Sequence, residues 1–360
     1  MKNQNYGYGL INDGSISLMT NYPKVAIIIL NWNGRFYLES LLPSIYNTIY
    51  PNLEFVVGDN ASSDDSVAFI KKTYPKIRVI ENERNYGFAE GYNQILKQVE
   101  ADYFILLNSD VEVKENWIEP VIEEMEADVQ IAVAQPKILS WTQRNTFEHA
   151  GAAGGFIDRY AYPFCRGRIF QSVEIDKGQY NDSSEIFWAS GAAFFIRSEC
   201  WKESGGFDAD FFAHMEEIDL CWRLKRMGYK IWYCANSEVL HVGGGTLDKT
   251  NPMKTYLNFR NNLYMIHKNA AYPYIIIFIR LWLDLAAMIQ FVLSRKFQDA
   301  KAVSKAHVHF FKNFNNTKKK RYAIKTPYKV TNIYTGMIIW DYFIRGKKRF
   351  SNLDPDKFNQ

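Results

Sequence analysis

Cysteine is scarce in this chain: four residues in 360, Cys165, Cys200, Cys221 and Cys234, with no C-x-x-C pair and no metal-ligand spacing. That excludes a disulfide framework and a structural zinc site, and fits reduced thiols inside a cell. The N-terminus lacks the basic start and apolar run of a signal peptide. Residues 1–22 are polar and glycine-bearing, and are expected to form a disordered extension. Charge of one sign is also missing: the net charge is only +4, which gives no general argument for a nucleic-acid partner. Neither G-x-G-x-x-G nor G-x-x-x-x-G-K-[ST] occurs, which argues against dinucleotide oxidoreductases and P-loop nucleotide hydrolases. There is no internal repeat.

What is present is enough apolar material for a large core, 47% hydrophobic and 16% aromatic residues. Lys24–Leu30 is an unbroken apolar, β-branched run, the pattern of a strand buried on both faces. Leu53–Val57, Arg78–Ile80 and Tyr103–Leu107 repeat it, separated by helical patterns at 36–48, after the Ser62-Ser63-Asp64-Asp65 cluster, and at Gly91–Val99. This β-α-β-α-β-α-β order implies a parallel, doubly wound α/β sheet. Beyond it, strands are expected at Ile131–Ala134, Phe187–Ile196 and Lys230–Cys234, and a helix at Phe211–Met227.

Ligands of open α/β sheets bind beyond the carboxyl ends of the strands. Asn31, Asn33, Asp59 and Asn60 all follow apolar strands, so they are expected to converge on one crevice able to hydrogen-bond a nucleobase and ribose. Phe104–Leu107 runs into Asn108-Ser109-Asp110, a carboxylate beside an amide, suited to a divalent cation that also grips a diphosphate. Arg84, Asn85, Gly87 and Asn93 flank a glycine-containing helix start where a backbone can approach a ligand closely. Glu216, Glu217 and Asp219 crowd three carboxylates at another helix start. Crowding raises one pKa and makes a usable base, although the helix dipole alone also favours acids there. Asp219 and Arg223 are four apart and can form an ion pair. Trp188 before the Ser190-Gly191 turn is a candidate for stacking on an acceptor sugar. His241 before Gly243-Gly244-Gly245 reads as a metal or phosphate ligand in a mobile loop.

Six ordered segments resemble the inverting GT-A glycosyltransferases of family two, especially their bacterial rhamnosyltransferase-like branch. They are Ile29–Asn33, Val57–Asp64, Asn85–Ala89 with Gly91-Tyr92-Asn93, Leu107–Asp110, Ser190–Ala192 and Glu216–Cys221. The resemblance spans about residues 24–268. It implies a Rossmann-like, mostly parallel sheet flanked by helices over 23–268. It also implies a nucleotide-sugar donor such as dTDP-rhamnose or a UDP-hexose, with Asp59 on the base. Asp110 becomes the metal-binding end of a D-x-D motif whose first acid is here Asn108, the cofactor being Mg²⁺ or Mn²⁺, with His241 as a further ligand. Glu217 falls where the family has its base, more often an Asp, leaving Glu216 and Asp219 as alternatives. Arg260-Asn261 resembles a family element that grips the diphosphate. A nucleotidyltransferase and an inactive nucleotide-sugar-binding scaffold stay open as other readings.

The composition changes near residue 270. Tyr274–Leu293 is almost wholly apolar, long enough to cross a bilayer, yet it carries Arg280 and Asp284 on one helix face. An in-plane or partly inserted helix, a buried helix and a span are all open. Lys318–Arg321 and Lys347–Arg349 add basic clusters among aromatic residues. Residues 269–360 are therefore expected to be helical and to associate with the cytoplasmic face of a membrane, where a saccharide or polyprenyl-diphosphate-linked acceptor would be met.

Overall fold

Alternate residues of the first apolar run enter two different cores. Val25, Ile27 and Ile29 pack on one face of the sheet and Ala26 and Ile28 on the other. This two-sided burial is why the run is uninterrupted rather than alternating. The computed structural model describes residues 22–243, 251–323 and 330–359. Of the expected N-terminal extension only Tyr22 is among them, and Gly244 and Gly245 of the His241 loop lie outside the described residues.

Strands β1 (Val25–Asn31), β2 (Leu53–Asp59), β3 (Arg78–Glu81) and β4 (Tyr103–Leu107) form the parallel half of the main sheet. Helices α1 (Arg35–Tyr46), α2 (Ser66–Thr73) and α3 (Gly87–Leu96) make the crossovers. Next come β5 (Val111–Val113), α4 (Glu119–Ala127) and β6 (Ile131–Ser140). A small second sheet is built from β7 (Gly155–Asp158), β8 (Pro163–Cys165), β9 (Arg168–Ile169) and β10 (Ser172–Val173). The chain returns through β11 (Ser184–Ile186), β12 (Ala193–Arg197), α5 (Ser198–Ser204), α6 (Glu216–Arg226) and β13 (Lys230–His241). The main sheet has the order β11-β13-β6-β12-β4-β1-β2-β3, with β5 paired to β13.

This is the expected GT-A-like α/β architecture, with a mixed rather than wholly parallel sheet. Strand β12 runs antiparallel to both β4 and β6, which inserts the Ser190–Ala192 turn beside the end of β4. Two elements are longer than the sequence suggests, since β6 and β13 continue to Ser140 and His241 as a parallel pair. The helix expected over Phe211–Met227 begins only at Glu216. Phe212, His214 and Met215 ahead of it have φ of 64°, 69° and 73°, a left-handed path no helix can follow.

The C-terminal part is mainly helical: α7 (Pro252–Asn269), α8 (Pro273–Leu293), α9 (Phe297–Lys312), α10 (Phe314–Ala323) and α11 (Ile338–Phe343). It also supplies β14 (Ile333–Tyr334), which pairs in parallel with β7 of the second sheet. Helix α8 is the one helix among the described residues long and apolar enough to cross a membrane.

Candidate active site

The register of β1 on β2 sets Asn31 beside Asp59 at the carboxyl edge of the sheet. Both side chains are buried and turned on each other: Asn31 Nδ2 donates to Asp59 Oδ1 at 2.8 Å and to Ser66 Oγ at 2.9 Å. Asp59 also accepts from the Ser62 amide at 2.8 Å and the Ser62 hydroxyl at 2.6 Å. Asn33, with φ of 52°, is exposed and uses Oδ1 to accept from the Ser63 amide at 2.7 Å. Asn60 ties the next loop down, donating to Gly87 O at 2.9 Å and Asn85 Oδ1 at 3.0 Å. These hydrogen bonds fix the loops that follow β1 and β2 at the carboxyl edge of the sheet. Trp32 stands 46% exposed at the rim.

Gly87, φ 77°, is required where it stands. A Cβ there would meet the Phe212 ring at 2.5 Å. Because the chain comes this close, the Phe88 and Ala89 amides at the start of α3 donate to Phe212 O at 2.7 and 3.1 Å. The Asn85–Ala89 segment is thus latched to the loop that precedes the acidic helix. Asn93 serves the same latch, pairing with Phe207 through Nδ2 (2.9 Å) and Oδ1 (3.0 Å). Arg84 is exposed and lies over the Tyr86 ring, 4.8 Å from its centroid.

The end of β4 brings two clusters together. The Asn108 amide donates to Ala192 O at 3.1 Å, so the β4 end abuts the Ser190–Ala192 turn. Next in that turn, the Gly191 amide hydrogen-bonds the Glu217 carboxylate. Two residues past Asn108, the buried Asp110 faces His241 Nε2 across 3.1 Å, and the Val242 amide donates to Asp110 O at 3.0 Å. On the other side of the His241 ring, Nδ1 is 3.3 Å from Glu148 Oε2. Sequence reading missed Glu148, since nothing in its spacing ties it to a histidine over ninety positions away.

Electrostatics separates the two clusters. Burial alone would neutralise His241, but its hydrogen bonds and attraction to Asp110 and Glu148 outweigh burial and raise its pKa to about 10. Burial pushes both carboxyls up as well. Contact with the His241 ring more than offsets this, holding Glu148 at about 2 and Asp110 below its ordinary value. In the acidic helix burial wins. Glu217 rises to about 6 against the opposing hydrogen bonds from its own and the Gly191 amides. Glu216 is pushed well above its ordinary value by burial and then by the neighbouring Glu217. Oε2 of each is shielded and without a protein hydrogen-bond partner. Glu217 as a residue is partly exposed, whereas Glu216 is buried.

Two expectations are corrected here. Asp219 is not available as a base. It is fully buried, and Arg223 Nε (2.9 Å), Lys268 Nζ (2.8 Å) and Asn269 Nδ2 (2.8 Å) occupy both of its oxygens. It anchors α6 to α7. Trp188 is a core aromatic, 4% exposed, with Nε1 donating to Phe156 O at 3.0 Å, and so presents no face to a sugar. Arg260 and Asn261 likewise grip backbone rather than an open site. Asn261 Nδ2 donates to Phe211 O, Ala213 O and His214 O at 2.9, 2.9 and 2.7 Å, and Arg260 to Asp210 O and Phe211 O at 2.8 and 2.9 Å. These bonds hold the left-handed loop in place, a conformation that costs about 1–3 kcal/mol per residue when unsupported.

The residues present fit a divalent cation shared with a substrate. Asp110 offers oxygen, and His241 Nε2 beside it would offer nitrogen once its proton is displaced, donors that Mg²⁺ or Mn²⁺ accepts. Among the described residues no group of three or more His, Cys, Asp or Glu encloses a metal, because Glu148 sits on the far ring nitrogen. A cation held there would take its remaining coordination positions from phosphate and water, as is usual where a cation bridges protein and diphosphate.

Residues 26–196 match the family model for glycosyl transferase family 2. The chain is 24% identical over 252 residues to the low-salt glycan biosynthesis hexosyltransferase Agl10 of Haloferax volcanii, covering 67% of this chain and 75% of that protein. It is 23% identical over 241 residues to the N-acetylglucosaminyl-diphospho-decaprenol L-rhamnosyltransferase of Mycobacterium tuberculosis, covering 60% and 75%. In fold it is similar to GalNAc-T7, solved with UDP, GalNAc and Mn²⁺ (TM-score 0.54, 17% identity, 72% of this chain and 51% of that one). It is also similar to residues 1–349 of S. aureus TarS with UDP-GlcNAc (TM-score 0.52, 14% identity, 85% and 93%). With the β4 end, the Ser190–Ala192 turn and the acidic helix assembled on one sheet edge, residues 26–196 form a glycosyl transferase family 2 domain, and the chain is a glycosyltransferase of GT-A fold.

Proposed function

We propose that this chain transfers a sugar from a nucleoside-diphosphate sugar to a saccharide acceptor with inversion at the anomeric carbon, and that Glu217 is the base. The observation that carries the reading is the Glu217 carboxylate itself. It is raised to about 6, hydrogen-bonded by the Gly191 amide and left with one shielded oxygen that has no protein partner, on a residue that is itself partly exposed. Gly191 belongs to the turn whose Ala192 carbonyl accepts from the Asn108 amide, two positions before Asp110, which links the base to the β4 end. An acceptor hydroxyl gives its proton to Glu217 as its oxygen bonds to the anomeric carbon. The bond from that carbon to the diphosphate breaks, and the electron pair leaves with the nucleoside diphosphate. Burial and the neighbouring Glu217 push Glu216 well above its ordinary value, which favours Glu217 as the member of the pair that ionises.

Asp110 and His241 would hold Mg²⁺ or Mn²⁺, whose charge when bound neutralises the departing diphosphate. Asn31, Asn33, Asp59, Asn60, Arg84, Asn85, Gly87, Asn93 and Asn108 line or shape the donor side, and Gly191 the acceptor side. Residues 23–268 form the catalytic unit in this reading. The mycobacterial relative's name, an L-rhamnosyltransferase on a decaprenyl-diphosphate-linked sugar, and the archaeal one's, a glycan-biosynthesis hexosyltransferase, favour a rhamnose or hexose donor, in our reading dTDP-rhamnose or a UDP-hexose, and a polyprenyl-diphosphate-linked acceptor in surface-polysaccharide assembly. The enzyme would then work peripherally at the cytoplasmic face of the plasma membrane.

Calorimetry with dTDP, UDP and GDP, each with Mn²⁺ and with chelator, tests the donor half. Metal-dependent binding of one nucleotide is the expected result. A folded protein that binds none of them refutes it.

A further inference from the structure

Helix α8 has the polarity of a soluble helix turned inside out. Its two charged residues, Arg280 and Asp284, are buried against the protein together with Pro273 and Ile277. Arg280 lies over the Tyr162 ring, 3.5 Å from its centroid, and 3.5 Å from Asp284, which also meets His307 Nε2 at 3.0 Å. The opposite stripe is apolar and exposed: Ile275, Phe278, Trp282, Leu285, Ile289 and Leu293 recur every three or four residues. A water-facing helix puts its charges outward. One that hides its charges and exposes Phe and Trp is built for an apolar surrounding.

Charge identifies that surrounding. Between Ala271 and Ala323 there are ten Lys and Arg against two acids, Asp284 and Asp299, while the whole chain totals only +4, so the remainder is net negative. Both acids are engaged, Asp284 as above and Asp299 by the Thr255 hydroxyl at 2.5 Å. Arg295 and Lys296 leave the end of α8 exposed, as do Lys301, Lys305 and Lys312 along α9. A second copy of so basic a surface would be repelled, whereas an anionic headgroup layer is attracted. The inward face also fixes the orientation. The helix is held to the body from Pro273 to Asp284, over half its length, so it cannot stand free across a bilayer, which needs about twenty residues.

We propose that α8 lies in the plane of an anionic bilayer, with Phe278 and Trp282 in the acyl boundary and the exposed basic residues that follow α8 and line α9 among the headgroups. This deepens the membrane-side location proposed above and rests on that reading for the leaflet alone. Neither Phe278 nor Trp282 is among the residues assigned to the donor, the metal or the base.

The experiment is flotation of the full chain with phosphatidylcholine vesicles with and without phosphatidylglycerol, beside the double variant Phe278→Ser, Trp282→Ser. Both positions are more than 60% exposed, so the fold should survive, as circular dichroism would check. Expected are binding that needs phosphatidylglycerol, weakens in salt, and falls roughly tenfold or more in the variant. Nucleotide binding should be unchanged in the variant, which separates failure here from failure of the proposed reaction. Equal flotation of variant and parent overturns the proposal. So does resistance to alkaline extraction, the mark of a span, and so does vesicle-independent dimerisation abolished by the variant, the mark of a second copy on this face.

Discussion

Replacing Glu217 by Gln should make the protein more stable and nearly inactive at once. The carboxyl is raised from its ordinary 4.5 to about 6, chiefly by burial. At about 1.4 kcal/mol per pKa unit, keeping it ionised costs the folded protein about 2 kcal/mol. The sign follows from the direction. Below pH 4.5 the group is neutral folded and unfolded, and no cost exists. As pH rises through 6 the unfolded chain ionises it more readily, so the cost is complete at pH 7 and above. A glutamine never bears that charge, and its oxygen can still accept from the Gly191 amide. The variant should therefore gain about 2 kcal/mol at pH 7.5 and almost nothing at pH 4. With an unfolding entropy of about 2.1 cal/mol/K per residue, that is a rise in Tm of roughly 2–3 °C. Transfer should fall about 10²–10⁴-fold, the usual worth of a general base, with donor affinity unchanged. Thermal melts at the two pH values, with single-turnover transfer and nucleotide calorimetry, read all three. Transfer within a few-fold of the parent would refute the role, and a Tm gain equal at both pH values would refute the ionisation argument.

The same group sets a pH profile: kcat/KM should fall about tenfold per pH unit below about 6 and level off above, because only the ionised base accepts a proton. A rate–pH series checks this, and the Gln variant should lose that limb. Asp110→Ala should abolish the metal-dependent part of nucleotide binding; calorimetry that gives the same affinity with Mn²⁺ and chelator in parent and variant would remove Asp110 from the site. Asn261→Ala leaves the carbonyls of Ala213 and His214 short of a donor, while Phe211 O keeps Arg260, so stability should drop by about 1–3 kcal/mol in urea titration. The turnover rate should fall more than donor affinity, since the loop aims Glu217. Gly87→Ala places a methyl 2.5 Å from Phe212 at φ 77° and should cost about 1–3 kcal/mol or more, read in the same titration.

The first half of the sheet was legible because its signal is local. Val25–Asn31 and Tyr103–Leu107 are buried on both faces, so their composition alone marks them, and the polar residue that ends each run marks the functional edge. The acidic helix was placed a turn too early because apolar Phe211 and Phe212 continue its pattern. What breaks the helix is three left-handed residues held by Asn261 from α7, a long-range contact with no local trace. Trp188 misled for a related reason. A small-residue turn follows it whether the indole faces solvent or Phe156, and only the second sheet decides.

The site shows the same division between what residue type carries and what distance carries. Asp110 and Glu217 stand out as acids after a buried strand and at a helix start. The features that make them usable are remote: Glu148 behind His241, Gly191 on Glu217, and Lys268 with Arg223 and Asn269 on Asp219. The last of these settles a choice the sequence left open. Three carboxylates in four positions are chemically alike as letters. Asp219 has each oxygen matched by a cationic or amide donor and is spent on structure. Glu216 and Glu217 each keep a shielded oxygen with no partner, a state that destabilises the fold. A buried acid left unsatisfied where an ion pair could have been built is the kind of cost a fold carries for chemistry, and of the two only Glu217 is partly exposed.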